Sequence, residues 1–287
     1  MYYEVIVLPL QRYTLFVAAV RKMKLKNVLA AVQSGCALLH YVAQLGYIPI
    51  IQLLCKWGVD INMKTRITNA TPLLTVVSHI HLDADLTAKT VEVLFQCGAE
   101  ESVNDENSAG DSPLFMAIVR RQAKVFDQLL RKGADPTKLD KAGNTILHAA
   151  AQVNAVKVCR KIMATKNIDK ELMVGAKNDD GQTPIHLAAM HGPKFLETVV
   201  EALGKNYSDC VEWFSALDNN NCTALDIAAQ SSQQDTFAFM WEEMEKYSPA
   251  HIDVERRKLR ILIEEAEKDS SQWQKVNDAL SIFPKRM

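Results

Sequence analysis

One short string recurs along this chain. Ser112-Pro113-Leu114-Phe115, Thr145-Ile146-Leu147-His148 and Thr183-Pro184-Ile185-His186 are its clearest copies. Looser copies stand at Ala37-Leu38-Leu39-His40, Thr71-Pro72-Leu73-Leu74 and Thr223-Ala224-Leu225-Asp226. The start-to-start spacings are 34, 41, 33, 38 and 40 residues. A period of this length constrains the fold more than any other feature. A segment that short cannot bury its apolar face alone, so it must stack on its neighbours. Length then says little about domain count, because the core grows lengthwise. The hydrophobic share of 48% is enough for such a core.

The clearest unit runs from Gly110 to Lys141. Ser112 caps a helix by accepting a bond from a free backbone N–H, and Pro113 suits the first helical turn. Leu114, Ala117 and Ile118 face the core. Val125, Phe126, Leu129 and Leu130 recur at helical spacing and mark a second, outer helix. Gly133 ends that helix in a left-handed conformation. A hairpin follows, turned near Ala142-Gly143. Gly110, Gly143 and Gly181 fill the hairpin-tip slot, and Asn220-Asn221 fill it in the last unit.

The tetrapeptide, the outer-helix pattern and the glycine stop together resemble ankyrin repeats. The resemblance covers residues 35–247 and implies a mainly α ankyrin-repeat solenoid. It predicts six to seven helix-pair repeats with short β-hairpin fingers, followed by C-terminal helices. Residues 1–34 read as a degenerate N-terminal capping repeat, with Leu15–Ala19 and Val28–Val32 as its helices; it is either a capping pair lacking its finger or a repeat that has lost a segment. Residues 248–287 read as a C-terminal helical cap. There Ile252, Leu259, Leu262, Ile263 and Ala266 suit one amphipathic helix, and Trp273, Val276, Leu280 and Phe283 a shorter one.

The formal net charge of −1 sets up no global field toward nucleic acid or acidic lipid. The six cysteines, at 36, 55, 97, 159, 210 and 222, form no C-x-x-C pair and no zinc-finger spacing. They are expected to be mostly reduced and buried, as suits the cytosol or nucleus. Glu4 stands where a signal peptide carries positive charge, and Gln11-Arg12 ends the first apolar run. The expectation is a soluble, cytoplasmic and also nuclear protein, monomeric when unbound, with no membrane contact.

Two stretches carry a narrower resemblance. One is Gly133-Ala134-Asp135-Pro136 with Asp140-Lys141-Ala142-Gly143-Asn144-Thr145. The other is the long connection through Leu172-Met173-Val174 to Asn178-Asp179-Asp180-Gly181-Gln182-Thr183. Their order is similar to the central repeats of the inhibitor-of-kappa-B family. The resemblance implies an intracellular signalling regulator that retains or masks a Rel-type transcription factor or a signalling complex. The Asp-Ser-Gly-x-x-Ser degradation string of that family is absent.

Ankyrin proteins bind through hairpin tips and the exposed ends of inner helices. Those positions are Gln44, Leu45, Ser78, His79, Val119, Arg120, Arg121, Gln152, Val153, Met190, His191 and Gln230, with Lys141, Asp179, Asp180 and Asn219 at the tips. Arg120, Arg121 and Met190 stand out, since Arg and Met are enriched at interfaces. His40, His148 and His186 share one signature slot and read as braces of the repeat rather than as ligands. The string His79-Ile80-His81-Leu82-Asp83-Ala84-Asp85 has metal-like alternation but reads better as a polar insertion. Arg256-Arg257-Lys258-Leu259-Arg260 reads as a solvated helix face balanced by Glu264, Glu265 and Glu267 rather than as a nuclear-entry signal.

No P-loop, G-x-S-x-G, H-E-x-x-H or dinucleotide fingerprint occurs, so the reading is non-enzymatic, without cofactor or metal. The leading expectation is a protein-binding regulator working through a concave groove. A scaffold or substrate adaptor recruiting a second protein through the C-terminal helices is the alternative, and a regulatory subunit of an enzyme is a further one.

Overall fold

The computed structural model describes residues 38–79, 83–166, 168–204, 208–231 and 233–247. The capping repeat expected over 1–34 and the helical cap expected over 248–287 lie outside the described residues. The chain divides into two compact units, Met1–Asp135 and Pro136–Met287.

In the first unit, inner helices α1 (Leu38–Gln44), α3 (Pro72–Ser78) and α5 (Pro113–Val119) alternate with outer helices α2 (Ile48–Lys56), α4 (Ala84–Gln96) and α6 (Ala123–Arg131). Helix α3 packs on both α1 and α5, while α4 touches both α2 and α6. A short 3-10 helix, Ala99–Ser102, follows α4. The local reasons are those of the sequence. Thr71 Oγ1 accepts from Leu74 N at 3.2 Å and Ser112 Oγ from Phe115 N at 3.3 Å, and Pro72 and Pro113 open the helices. Helix α6 buries Val125, Phe126 and Leu129 while Lys124 and Arg131 stay exposed. Each such buried side chain contributes about 1.5–3 kcal/mol.

The second unit repeats the scheme with inner helices α7 (Ile146–Gln152), α10 (Pro184–Ala188) and α13 (Ala224–Gln230), and outer helices α8 (Val156–Ala164), α11 (Lys194–Leu203) and α14 (Gln234–Tyr247). Two short helices, α9 (Lys170–Gly175) and α12 (Ser208–Ser215), precede its later fingers. The stretch through Leu172-Met173-Val174, expected as a plain connection, is therefore helical. Asp169 caps it by accepting from Leu172 N at 3.0 Å, and Met173 and Val174 are buried. Six inner–outer pairs stand among the described residues.

The fingers differ from the expected β-hairpins: among the described residues none has strand structure. Each closes on two backbone bonds, such as Asp140 N to Asn144 O and Gly143 N to Asp140 O, both at 3.1 Å, or Asn178 N to Gln182 O and Gly181 N to Asn178 O, both at 2.9 Å. In each of these two, a side-chain oxygen takes two further N–H groups. Asp140 Oδ1 accepts from Ala142 N and Asn144 N, and Asn178 Oδ1 accepts from Asp180 N and Gln182 N. An Asx turn thus replaces a ladder.

The cysteines also depart from expectation. Cys159 is buried and unpaired, and burial pushes its thiol up to about 12. Cys222 is half-buried and unpaired. Cys55, on α2, is joined to Cys97, at the end of α4, by a disulfide with a Cα–Cα distance of 5.9 Å. Their separation of 42 residues gives no hint of this in sequence; the repeat register brings them together.

Candidate protein-interaction surface

Three histidines hold the inner helices to the fingers beside them. His148 Nε2 lies 2.9 Å from Gln182 O, and His186 Nε2 lies 3.2 Å from Cys222 O. A carbonyl only accepts, so Nε2 carries the proton and Nδ1 is the acceptor. Nδ1 of His148 takes the Thr145 N–H at 3.1 Å and its hydroxyl at 2.9 Å. His186 does the same with Thr183, at 3.1 and 2.8 Å. Each ring therefore caps its own helix and bolts it to the next repeat. His40 makes the bolt alone: Nε2 donates to Ala70 O at 2.9 Å, and Nδ1 is buried without a partner among the described residues. In sequence, Ala37 fills the slot that threonine fills elsewhere. Burial holds all three imidazoles below the usual histidine value, against the opposing pull of the carbonyls.

In the first unit, the C-terminal ends of the packed inner helices carry Gln44, Leu45, Ser78 and His79, all half-buried. Beside them Val119 is 39% exposed, and Arg120 and Arg121 are exposed. Arg121 also shapes the backbone. With φ 55° it makes the left-handed turn between α5 and α6, and its N–H donates to Ile118 O at 2.8 Å.

In the second unit, Gln152 and Gln230 are exposed, Met190 is 38% exposed, and Val153 and His191 are half-buried. His191 Nε2 donates to Gln152 O at 2.9 Å, so the ends of adjacent repeats meet. Lys141, Asp179, Asp180 and Asn219 are exposed at the tips. The tips lock side by side: Asp179 N donates to Ala142 O, Asn219 N to Asp180 O, and Asn219 Nδ2 to Asp179 O, each at 3.0 Å. The tip bonds and the Gln152–His191 contact thus give this unit a pre-ordered edge, although Asn219 spends its amide on that order.

Two apolar positions on this edge escape the sequence reading. Leu139 is 56% exposed and Leu217 is 46% exposed. Each stands just before the Asp that opens a finger, and Lys177 occupies the same slot between them in sequence order, its Nζ donating to Leu217 O at 2.7 Å. An apolar residue directly before a turn-forming Asx is the available signal.

The metal-like string serves structure where it is described. Asp83 caps α4 by accepting from Asp85 N, and Asp85 pairs with Lys124 at 2.5 Å. Among the described residues no group of three His, Cys, Asp or Glu is placed to hold a metal ion. Among them, too, no helix is long and apolar enough to cross a membrane.

Comparison with known proteins agrees with this geometry. The model for ankyrin repeats in three copies matches residues 79–173 and 167–249, and the single-repeat model matches residues 34–66. The chain belongs to the ankyrin-repeat family. Ankyrin repeats are a protein-interaction module and typically non-enzymatic. Among its relatives, the nuclear factor NF-kappa-B p105 subunit of Rattus norvegicus is 34% identical over 111 residues, 39% of this chain and 11% of that protein. Human NF-kappa-B inhibitor alpha is 30% identical over 130 residues, 44% of this chain and 40% of that protein. Human neurogenic locus notch homolog protein 4 is 35% identical over 94 residues, 33% of this chain and 4% of that protein. The chain thus spans well under half the length of each of these relatives.

Proposed function

We propose that this ankyrin-repeat chain is an inhibitor-of-kappa-B-like regulator that binds a Rel-type transcription factor and retains or masks it. The observation that supports the reading is the locked finger row of the second unit, in a unit that also exposes the apolar Met190 and Leu217. Docking onto a surface already held by backbone bonds orders little that was free, so less entropy is lost on association. The similarity to p105 and to NF-kappa-B inhibitor alpha directs the choice of partner. Arg120, Arg121 and Val119 form the contact set of the first unit. Lys141, Gln152, Val153, Asp179, Asp180, Met190, His191, Asn219 and Gln230 form that of the second, with Leu139 and Leu217 added.

The test is masking itself. A purified Rel-type dimer is bound to a fluorescent DNA duplex, and this chain is titrated in. Stoichiometric release of the duplex, with co-elution of chain and dimer on a sizing column, supports the reading. Co-elution without release leaves retention and removes masking. The absence of both co-elution and release overturns the assignment of partner.

A further inference from the structure

The outer ends of α2, α4 and α6 show a register that recurs. Each helix runs into a glycine with positive φ: Gly58, Gly98 and Gly133. Cys55 stands three residues before Gly58, and Cys97 one residue before Gly98. The same two slots at the following interface hold Phe95 and Lys132, and there the Lys132 ammonium sits 5.5 Å from the centre of the Phe95 ring. The stacking thus brings these two slots face to face at both interfaces. At one interface it makes a cation–π contact. At the other it makes a disulfide whose Cα separation, 5.9 Å, lies where such bonds are commonest.

We propose that Cys55 and Cys97 form a reversible redox modification site that fastens the first described repeat to the second. Both residues are half-buried at the outer edge of the stack, within reach of a small thiol or disulfide. Cys159 is fully buried and its thiol is held protonated, so it takes no part. Closure proceeds by thiol–disulfide exchange with a low-molecular-weight disulfide such as glutathione disulfide. The Cys55 thiolate attacks one sulfur and expels one glutathione thiolate. The Cys97 thiolate then attacks the Cys55 sulfur of the mixed disulfide and expels the second. Two protein thiols are oxidised to one disulfide, glutathione disulfide is reduced to two glutathiones, and the two protons pass to the departing thiolates. Excess glutathione reverses each step.

Among the described residues, His40 lacks the second bond that His148 and His186 make. Beyond apolar packing and the disulfide, the first described repeat is tied to the second by the His40–Ala70 bond, by Asn62 Nδ2 donating to Gly98 O at 3.2 Å, by the Lys64–Asp105 ion pair at 3.1 Å and by Ser108 N donating to Thr68 O at 2.8 Å. Opening the disulfide leaves these in place, so the repeat loosens without the unit unfolding. The site is independent of the proposed partner, and its test needs none.

The chain is equilibrated in glutathione buffers from fully reduced to fully oxidised. Thiols are trapped by alkylation and mapped peptide by peptide, while amide hydrogen exchange is followed over α1, α2, α5 and α6. The expected result is that Cys55 and Cys97 pass together from alkylated to protected as the buffer is oxidised. Amides of α1 and α2 exchange about tenfold or more faster in the reduced protein, and those of α5 and α6 change less than about twofold. A Cys55→Ser variant behaves like the reduced protein in every buffer. Three results overturn the proposal: the two cysteines stay alkylated in the most oxidised buffer, they stay joined in the most reduced one, or exchange in α1 and α2 is the same in both. The first two readouts come from the unaltered protein, so a poorly folding variant does not spoil the test.

Discussion

His148 and His186 each use both ring nitrogens, and only the neutral ring can do so. Protonation would turn the Nδ1 acceptor into a donor facing two donors. Burial lowers both folded-state values, so the bolts contribute stability that is complete above the unfolded histidine pKa of about 6.5. That contribution is lost as the pH falls through the lowered folded values. His186→Ala is expected to cost about 1–3 kcal/mol at pH 7.5 in urea unfolding. It should also flatten the decline in stability between pH 7 and 5 relative to the unaltered chain. An equal slope in both proteins would show that the ring does not titrate as described. Arg121 is a second residue-scale case. Its φ of 55° costs an L-residue about 1–2 kcal/mol. Arg121→Gly should therefore raise stability by about 0.5–1 kcal/mol net of glycine's larger unfolded entropy. Under the proposed function, it should also weaken partner binding.

The helical elements are legible in sequence and the fingers only partly so. Thr145, Thr183 and Thr223 announce their helices because capping is a local event, decided within four residues. The signature histidines read as braces and act as braces, although their second bond, to a carbonyl 34 or 36 residues away, is invisible locally. The fingers read as strands because ankyrin repeats suggest hairpins. Asp140 and Asn178 instead capture the N–H groups that a partner strand would have taken. Helix α9 does not show in sequence because Lys170–Gly175 is too short for periodicity to reveal it. The Cys55–Cys97 pair is hidden because it depends on stacking register. Gly181 tests the finger packing. Its φ is 71°, and a Cβ there would stand 2.9 Å from Asn219 N and 2.4 Å from Asn219 Oδ1. The amide side chain can swing aside, but the backbone cannot. Gly181→Ala should therefore lower the stability of the second unit by about 1–3 kcal/mol in urea. It should also speed exchange at the Asn219 amide. An unchanged midpoint would mean that the tips are not locked.

At the scale of the whole molecule, the repeats form two compact units, each with its own inner and outer layers. Interactions in a solenoid are nearest-neighbour, so damage in one unit should stay largely within it. The proposed interaction edge can be outlined in sequence, because inner-helix ends and finger tips follow from the repeat. Leu139 and Leu217 cannot be ranked there, since their exposure is a tertiary property. The most direct measurement is calorimetric titration of a purified Rel-type dimer with three forms of the chain: unaltered, Arg120→Glu with Met190→Glu, and Lys157→Glu with Arg160→Glu. The last pair alters exposed residues of outer helix α8. All three should give matching circular dichroism melts. The unaltered chain is expected to bind, the inner-edge variant to bind at least about tenfold more weakly, and the outer-helix variant to bind as before. Equal loss in both variants, or loss only in the outer-helix variant, would contradict the proposed interaction edge.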